Sequence, residues 1–417
     1  MLNTAFTPWP NFTQEEADAV SRVLLSNKVN YWTGTECREF EKEFAVFAGT
    51  KHAIALTNGT VALDLALHGL KIGSMNGGTS ADEVIVTPRT FLASVSCVIN
   101  AGATPVFADV DVDSGNLTAE TMLVVLTQRT RAMIVVHLAG WPCDMDPIME
   151  LADIYGIKVI EDCAQAHGAR YKGRSVGSIG HIGAWSFCQD KIMTTGGEGG
   201  IVTTNDPDLW SRMWAFKDHG KSYDAVYNRH HALGFKWLHE SFGTNWRMIE
   251  MQAAIGRIQL RRMAVWSAKR SKNAEIIRKA LEPFSNKYGP IKLPELLCKN
   301  CAANSPPADF ICNSDCAHAN YKFYAYIRPE NLCSGWTRDK IIEEINEQGV
   351  PCYQGTCSEV YLEKAFEGSD YQPKVRLTNA KKLGETSIMF LIHPTLSDSE
   401  MQKTAIAIKS VFQQAAL

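Results

Sequence analysis

The chain is predicted to be an α/β protein: a three-layer α/β/α domain on a mostly parallel sheet, followed by a smaller C-terminal α+β domain. Three observations carry that prediction. Seven short apolar runs between Ala53 and Thr204 alternate with helical stretches, the pattern of strands buried on both faces of a parallel sheet. After Asn245 the pattern becomes a long helix, and composition then shifts over 290–316 toward Pro, Asn, Cys and Ala. At 417 residues and 45% hydrophobic content, the chain is long enough for one large core and one smaller one. The domains are accordingly placed at 1–285 and 286–417, with the N-terminal segment able to pack on the smaller one.

Taken in order, Thr13 with Glu16 three residues later forms a capping box, and Ala17, Val20 and Leu24 give the first helix an apolar face. A second helix presents Phe40, Phe44 and Phe47. Strands are expected at 53–56, 83–87, 105–109, 132–137, 157–161, 184–187 and 200–204. Such sheets bind ligands outside the carboxyl ends of their strands, which is where chemistry is to be sought. Beyond the composition shift come an alternating strand at 321–328, a helix over 337–348, and a last helix opened by Ser397 and Asp398.

The balance of 42 basic and 45 acidic residues gives a formal net charge of −3, with no field to gather nucleic acid or an anionic membrane. No apolar stretch approaches the roughly 20 residues of a membrane span, and the first ten residues lack a leader pattern, so a cytoplasmic location is expected. Twelve scattered cysteines read as thiols of a reducing compartment. Cys298, Cys301, Cys312 and Cys316 have a spacing that a zinc site uses, but the loop is short and no histidine pattern supports it, so no metal is expected. Gly220-Lys221-Ser222 ends like a P-loop, yet position 215 is Ala215 and not glycine; Gly177, Gly180 and Gly183 have the wrong spacing for a dinucleotide fingerprint. Kinase and dehydrogenase readings are both disfavoured.

What remains is a constellation suited to pyridoxal phosphate, which needs a lysine, an acidic group for its ring nitrogen and a cradle for its phosphate. Asp162 ends a strand. Lys191 follows 29 positions on and precedes the glycine-rich run Gly196, Gly197, Gly199 and Gly200, where the backbone can approach a flat ring closely. Asn58-Gly59-Thr60 leads from a strand into a helix, so its amides and the Thr60 hydroxyl point where a phosphate would sit.

The run Glu161-Asp162-Cys163-Ala164-Gln165-Ala166-His167-Gly168, Ser186-Phe187 through Lys191 to Gly199-Gly200, and Gly243-Thr244-Asn245-Trp246-Arg247-Met248 together resemble the DegT/StrS family of sugar aminotransferases. That resemblance implies the aspartate-aminotransferase fold of PLP-dependent transferases. It implies that Lys191 is the Schiff-base lysine and that Asp162 pairs with the pyridinium nitrogen. Gln165 would bond the phenolic oxygen, Phe91 would stack on the ring, and Gly59, Thr60 and Ser186 would hold the phosphate. Asn245 would reach the phosphate of a neighbouring subunit, making a homodimer with shared sites. Trp32, Thr33, His318 and Tyr321 are the sugar-side candidates.

The implied reaction is transamination with L-glutamate as donor and a nucleotide-linked keto-sugar as acceptor. The segment 29–34 and the stretch 353–361 favour a UDP-linked 4-keto-6-deoxy-N-acetylhexosamine aminated at C4, in surface-polysaccharide synthesis such as lipopolysaccharide, O-antigen or capsule. A GDP- or dTDP-keto-sugar aminated at C3 or C4 is the alternative. So is a PLP-dependent sugar dehydratase, although such family members carry histidine where this chain has Lys191. Two departures from the family pattern are an extra glycine between Lys191 and Glu198 and the cysteine-bearing insert before His318.

Overall fold

A computed structural model describes residues 6–294 and 316–417. Its large sheet contains all seven expected strands: β1 His52–Leu56, β2 Glu83–Val86, β3 Thr104–Phe107, β4 Thr130–Val136, β5 Lys158–Asp162, β6 Ile182–Ser186 and β7 Gly200–Thr204. The order across the sheet is β1-β7-β6-β5-β4-β2-β3. Strands β2, β4, β5 and β6 run parallel, and β3 pairs in parallel with β2. Only β7 runs against its neighbours β6 and β1. Every residue of β2, β6 and β7 is buried, which explains why these strands read as continuous apolar runs and not as alternations.

This arrangement positions the site. The carboxyl ends of β1, β2, β4, β5 and β6 and the amino end of β7 all lie along one edge. That edge therefore collects Asn58 to Thr60, Thr90 to Ser94, Asp162 to Gln165, Ser186 to Lys191, and Gly199 to Gly200.

Helix Glu250–Leu281, 32 residues long, is shared by two hydrophobic cores. Its Ala253 and Met263 join the core of the large sheet. Ala274, Ile277, Ala280 and Leu281 join a second core with Phe6 and the four-stranded sheet Ile291–Lys292, Phe323–Ile327, Ser387–Phe390 and Cys352–Tyr353. Helices Arg338–Glu347 and Asp398–Ala415 cover that sheet, each opened by the expected cap: Thr337 accepts from the Lys340 amide at 3.1 Å, and Ser397 forms a box with Glu400.

One expectation fails. Helix Gln14–Leu25 buries Glu16, Ala19 and Val23, whereas Leu24 is half exposed and Ala17 is exposed. The helix docks through Ala19 and Val23 onto Ala254 and Ile258. It is rotated so that Glu16 meets Arg262 at 2.7 Å, and a paired carboxylate thereby displaces Leu24 from the buried face.

Cys298, Cys301 and Cys312 lie outside the described residues. Cys316 accepts a hydrogen bond from the Lys172 amide at 3.2 Å. Among the described residues, Cys37, Cys97, Cys143, Cys163, Cys188, Cys333, Cys352 and Cys357 are free thiols. Among the described residues, no helix is long and apolar enough to cross a membrane.

Candidate active site

At the carboxyl edge lies a cleft of about 570 Å³ lined by Asn58, Gly59, Thr60, Phe91, Ser94, Asp162, Gln165, Ser186, Asp190, Lys191 and Glu198 among others. The structure thus brings together seven of the sequence candidates: Gly59, Thr60, Phe91, Asp162, Gln165, Ser186 and Lys191.

Asp162 forms the floor. Its Oδ2 accepts from Ser94 Oγ at 2.7 Å and its Oδ1 from the Ala164 amide at 3.1 Å, while Ser94 Oγ lies 2.7 Å from Thr90 Oγ1. Burial pushes the Asp162 carboxyl above its usual range, and these bonds together with Lys191 only partly offset it. Such a group is ready for a cationic partner. The Gln165 amide is oriented by the fold: its Oε1 accepts from the Ala139 N–H at 2.8 Å, leaving the Nε2 hydrogens to donate.

Opposite the floor, helix Gly59–Gly69 opens on the cleft. Asn58 caps it by accepting from the Val61 amide at 3.0 Å. The amides of Gly59 and Thr60 have no partner among the described residues, so the positive end of the helix faces the cleft with free donors. Glycine at 59 is required by close approach: a Cβ there would stand 2.5 Å from Ser186 Cβ and 3.0 Å from its Cα. Gly200 is fixed likewise, its added Cβ falling 2.2 Å from the Asn58 carbonyl oxygen.

Lys191 closes the cleft from the loop after β6. Its side chain is 16% exposed, and its Nζ sits 3.4 Å from Asp190 Oδ1. Its carbonyl accepts from Trp9 Nε1 at 2.7 Å, so the N-terminal segment holds the lysine loop. Tyr321 joins the cluster by donating its hydroxyl hydrogen to Asp190 Oδ2.

The other candidates lie elsewhere. His318 packs edge-on against Trp141 at 4.8 Å, and its Nδ1 accepts from the Asn320 amide at 2.7 Å; burial pushes it down to about 3. It lines a separate small cavity with Arg278 and Lys322. Trp32 lies in an aromatic cluster with Tyr31, Trp214 and Tyr227, under Lys221 Nζ at 4.1 Å. Lys221 and Arg247 both pair with Asp218, at 3.3 and 2.6 Å, and Asp218 forms an isolated bridge with Asn245. Asn245 and Thr33 are exposed. Thus Trp32 and Asn245 converge on one hub, and neither is among the residues that line the cleft.

Sequence reasoning missed Ser94, Trp9 and Asp190. Asp190 stood beside Lys191 in the notable run, whereas Ser94 lies 68 positions from its partner and carries no local signal.

The fold and this cleft are of the class seen in fold-type I pyridoxal-phosphate proteins. The parts fit the group: a desolvated carboxylate at one end, unpartnered first-turn amides at the other, and a cradle that a single Cβ at position 59 would fill. The model of the DegT/DnrJ/EryC1/StrS aminotransferase family matches residues 10–409, and the chain belongs to that family. The X-ray structure of an aminotransferase from Psychrobacter cryohalolentis is 61% identical and superposes with a TM-score of 0.92 over 98% of this chain and 99% of that one. The dTDP-3-amino-3,4,6-trideoxy-alpha-D-glucose transaminase of Streptomyces venezuelae is 42% identical over 253 residues, 61% of this chain and 62% of that protein. GDP-perosamine synthase of Caulobacter vibrioides is 45% identical over 225 residues, 54% of this chain and 56% of that protein. The chain is therefore matched over less than two thirds of the length of these two curated relatives.

Proposed function

We propose that the chain is a sugar-nucleotide aminotransferase in which Lys191 holds pyridoxal phosphate and moves the proton of the reaction. The observation that carries this reading is the convergence of Lys191 and Asp162 on a cleft whose far end offers free helix amides. Bound there, pyridoxal phosphate supplies an electron-withdrawing ring that stabilises negative charge at the donor's α-carbon. Asp162 would hold the ring nitrogen in its protonated form, Gln165 would donate from Nε2 to the phenolic oxygen, and Phe91, 70% exposed at the mouth, would stack on the ring. Gly59, Thr60 and Ser186 would hold the phosphate. Lys191 Nζ would serve as the acid-base group that accepts the α-proton of L-glutamate and gives it up again within that half-reaction, and that moves a second proton onto the sugar carbon in the other.

The partner reading is a homodimer in which the rim hub of one subunit completes the cleft of the other through Asn245. Two features support it: Asn245 lies off its own cleft, and the same region exposes Tyr227, Leu233, Phe235, Trp237 and Phe242, an apolar surface that a second copy would cover. Mixing Lys191→Ala with Asn245→Ala chains tests it, because a mixed dimer contains one intact site. Regained activity supports sharing; two inactive homodimers that stay inactive on mixing, despite subunit exchange, refute it.

The acceptor is a nucleotide-linked keto-sugar, in keeping with the sugar transaminases above. The finer reading, a UDP-linked 4-keto-6-deoxy-N-acetylhexosamine aminated at C4, rests on the sequence resemblance at 29–34 and 353–361. The test is spectroscopic. The wild-type protein with pyridoxal phosphate is expected to show a visible band that L-glutamate bleaches, and Lys191→Ala to lose that response. UDP-, GDP- and dTDP-keto-sugars are then compared for restoring the band. Restoration by a GDP or dTDP sugar and not by the UDP sugar overturns the finer reading and leaves the class intact.

A further inference from the structure

We propose that Asp190 and Tyr321 form a holder for the Lys191 side chain, a positioning pair that sets where its amine rests and how firmly the cofactor-linked nitrogen keeps its proton. The proposal rests on the cofactor reading above. Both oxygens of Asp190 are committed: Oδ1 lies 3.4 Å from Lys191 Nζ, and Oδ2 accepts from the Tyr321 hydroxyl. The Tyr321 ring lies under two ammonium groups, with Lys191 Nζ 5.5 Å and Lys322 Nζ 5.0 Å from its centroid. A π face so placed attracts each ammonium group electrostatically.

The holder is rigid because the segment bearing Tyr321 is stitched to the large sheet's loops. Ala319 and Tyr321 donate their amides to the Gly140 and Ala139 carbonyls at 2.9 and 3.0 Å, and Ala317 and Arg170 exchange backbone bonds. Arg270, buried on the long helix, donates Nη1 to the Tyr321 carbonyl at 3.3 Å and stands over Trp9, whose indole grips the Lys191 carbonyl. Tyr321 is itself 7% exposed, so its hydroxyl has little freedom to find another acceptor.

The charged and titratable groups around Lys191 are Asp190 on its own loop, Asp162 from β5, His167 beyond β5, Glu198 on the glycine loop, Lys322 beside Tyr321, and Arg270 from the helix. His167 is neutral, pushed down to about 3 by burial and the nearby cations. Lys322 and Arg270 crowd the same corner; burial brings them down to about 8 and about 9. Asp162 is assigned to the ring nitrogen. Among the described residues, Asp190 is therefore the carboxylate closest to the lysine nitrogen, at 3.4 Å, and the group whose loss changes that nitrogen's field most.

The test is a pH titration of the visible band of the loaded enzyme, read without turnover, for wild type, Asp190→Asn, Asp190→Glu and Tyr321→Phe. Asp190→Asn keeps the size but removes the charge, and its midpoint is expected to fall by roughly half a pH unit or more, because the protonated linked nitrogen loses its nearest anion. Asp190→Glu is expected to restore the wild-type midpoint. Tyr321→Phe keeps the ring and frees the carboxylate from its donor, so its midpoint should move upward. An unchanged midpoint in Asp190→Asn overturns the holder, as does an unchanged midpoint in Tyr321→Phe where Asp190→Asn fails to fold. A wild-type protein with no visible band overturns the cofactor reading itself.

Discussion

Glu161 and Asp162 are consecutive, both carboxylates and both buried, yet they face opposite sides of β5 and have opposite environments. Behind the sheet, Glu161 accepts from His137 Nε2 at 3.0 Å and from the amides of Gly177, Ile179 and Gly180 at 2.8, 2.8 and 2.6 Å. His137 is held in that tautomer because its Nδ1 accepts from the Cys143 amide at 3.0 Å. Burial pushes Glu161 up, but His137 and the amides outweigh it and hold it below the usual range. On the cleft side, Asp162 has, among the described residues, only Ser94 and the Ala164 amide as donors, and burial wins. A carboxylate saturated by the fold stabilises the fold; one left short of donors beside a cleft is available to a ligand.

The largest test of this contrast is Glu161→Gln. The side-chain amide would turn N–H groups toward backbone donors, and breaking a buried, fully bonded carboxylate costs about 3–5 kcal/mol. Denaturation should reveal that loss at neutral pH, while cofactor binding per folded molecule stays near wild type. Because the folded-state value is lowered, the stabilisation is present above the unfolded value of about 4.3 and disappears as pH falls through the folded one. The two proteins should therefore converge in stability in acid. Full stability of Glu161→Gln at neutral pH would remove the structural role assigned here.

Asp162→Asn should behave oppositely. A raised folded-state value means that ionising Asp162 costs stability, a penalty that sets in above the unfolded value of about 3.9. The cofactor-free variant is thus expected to melt no lower than wild type at neutral pH. Its loss appears on the cofactor, where one charge-assisted hydrogen bond of about 1.5–3 kcal/mol disappears and the half-reaction with L-glutamate slows about 10- to 100-fold. Stopped-flow bleaching of the visible band measures it, and an undiminished rate would break the contrast between the two carboxylates.

These two residues also show what was legible in the chain. The sheet could be read because its strands are buried on both faces and leave continuous apolar runs; Asp162 could be read as the polar end of such a run. The glycines 177 and 180 were visible only as a failed dinucleotide pattern, and their function is to offer amides to Glu161. The face of the first helix was misread because Arg262, some 250 positions away, makes burial of Glu16 favourable. The rim residues Trp32 and Asn245 were picked out by resemblance, but no local pattern reveals that they converge on Asp218. Long-range polar pairing, unlike apolar periodicity, leaves no period in a sequence.

Ser94→Ala is the smallest change that bears on the same comparison, and it sharpens it. Ser94 is one of two donors to Asp162 among the described residues and is buried at 2% exposure, so its loss leaves the carboxylate with the Ala164 amide alone of these. A net hydrogen bond of about 0.5–1.5 kcal/mol corresponds to a roughly 2- to 10-fold slower half-reaction. The direction with pH is fixed as well: with one donor gone, burial raises Asp162 further, so the acid limb of the half-reaction's pH profile should move toward higher pH. Thr90, whose hydroxyl shares the hydrogen bond with Ser94, is left in place and cannot reproduce the missing donor without moving. A slower rate with an unmoved acid limb would mean that Ser94 acts by packing alone. A shifted limb would show that the fold itself tunes how strongly Asp162 needs the ligand.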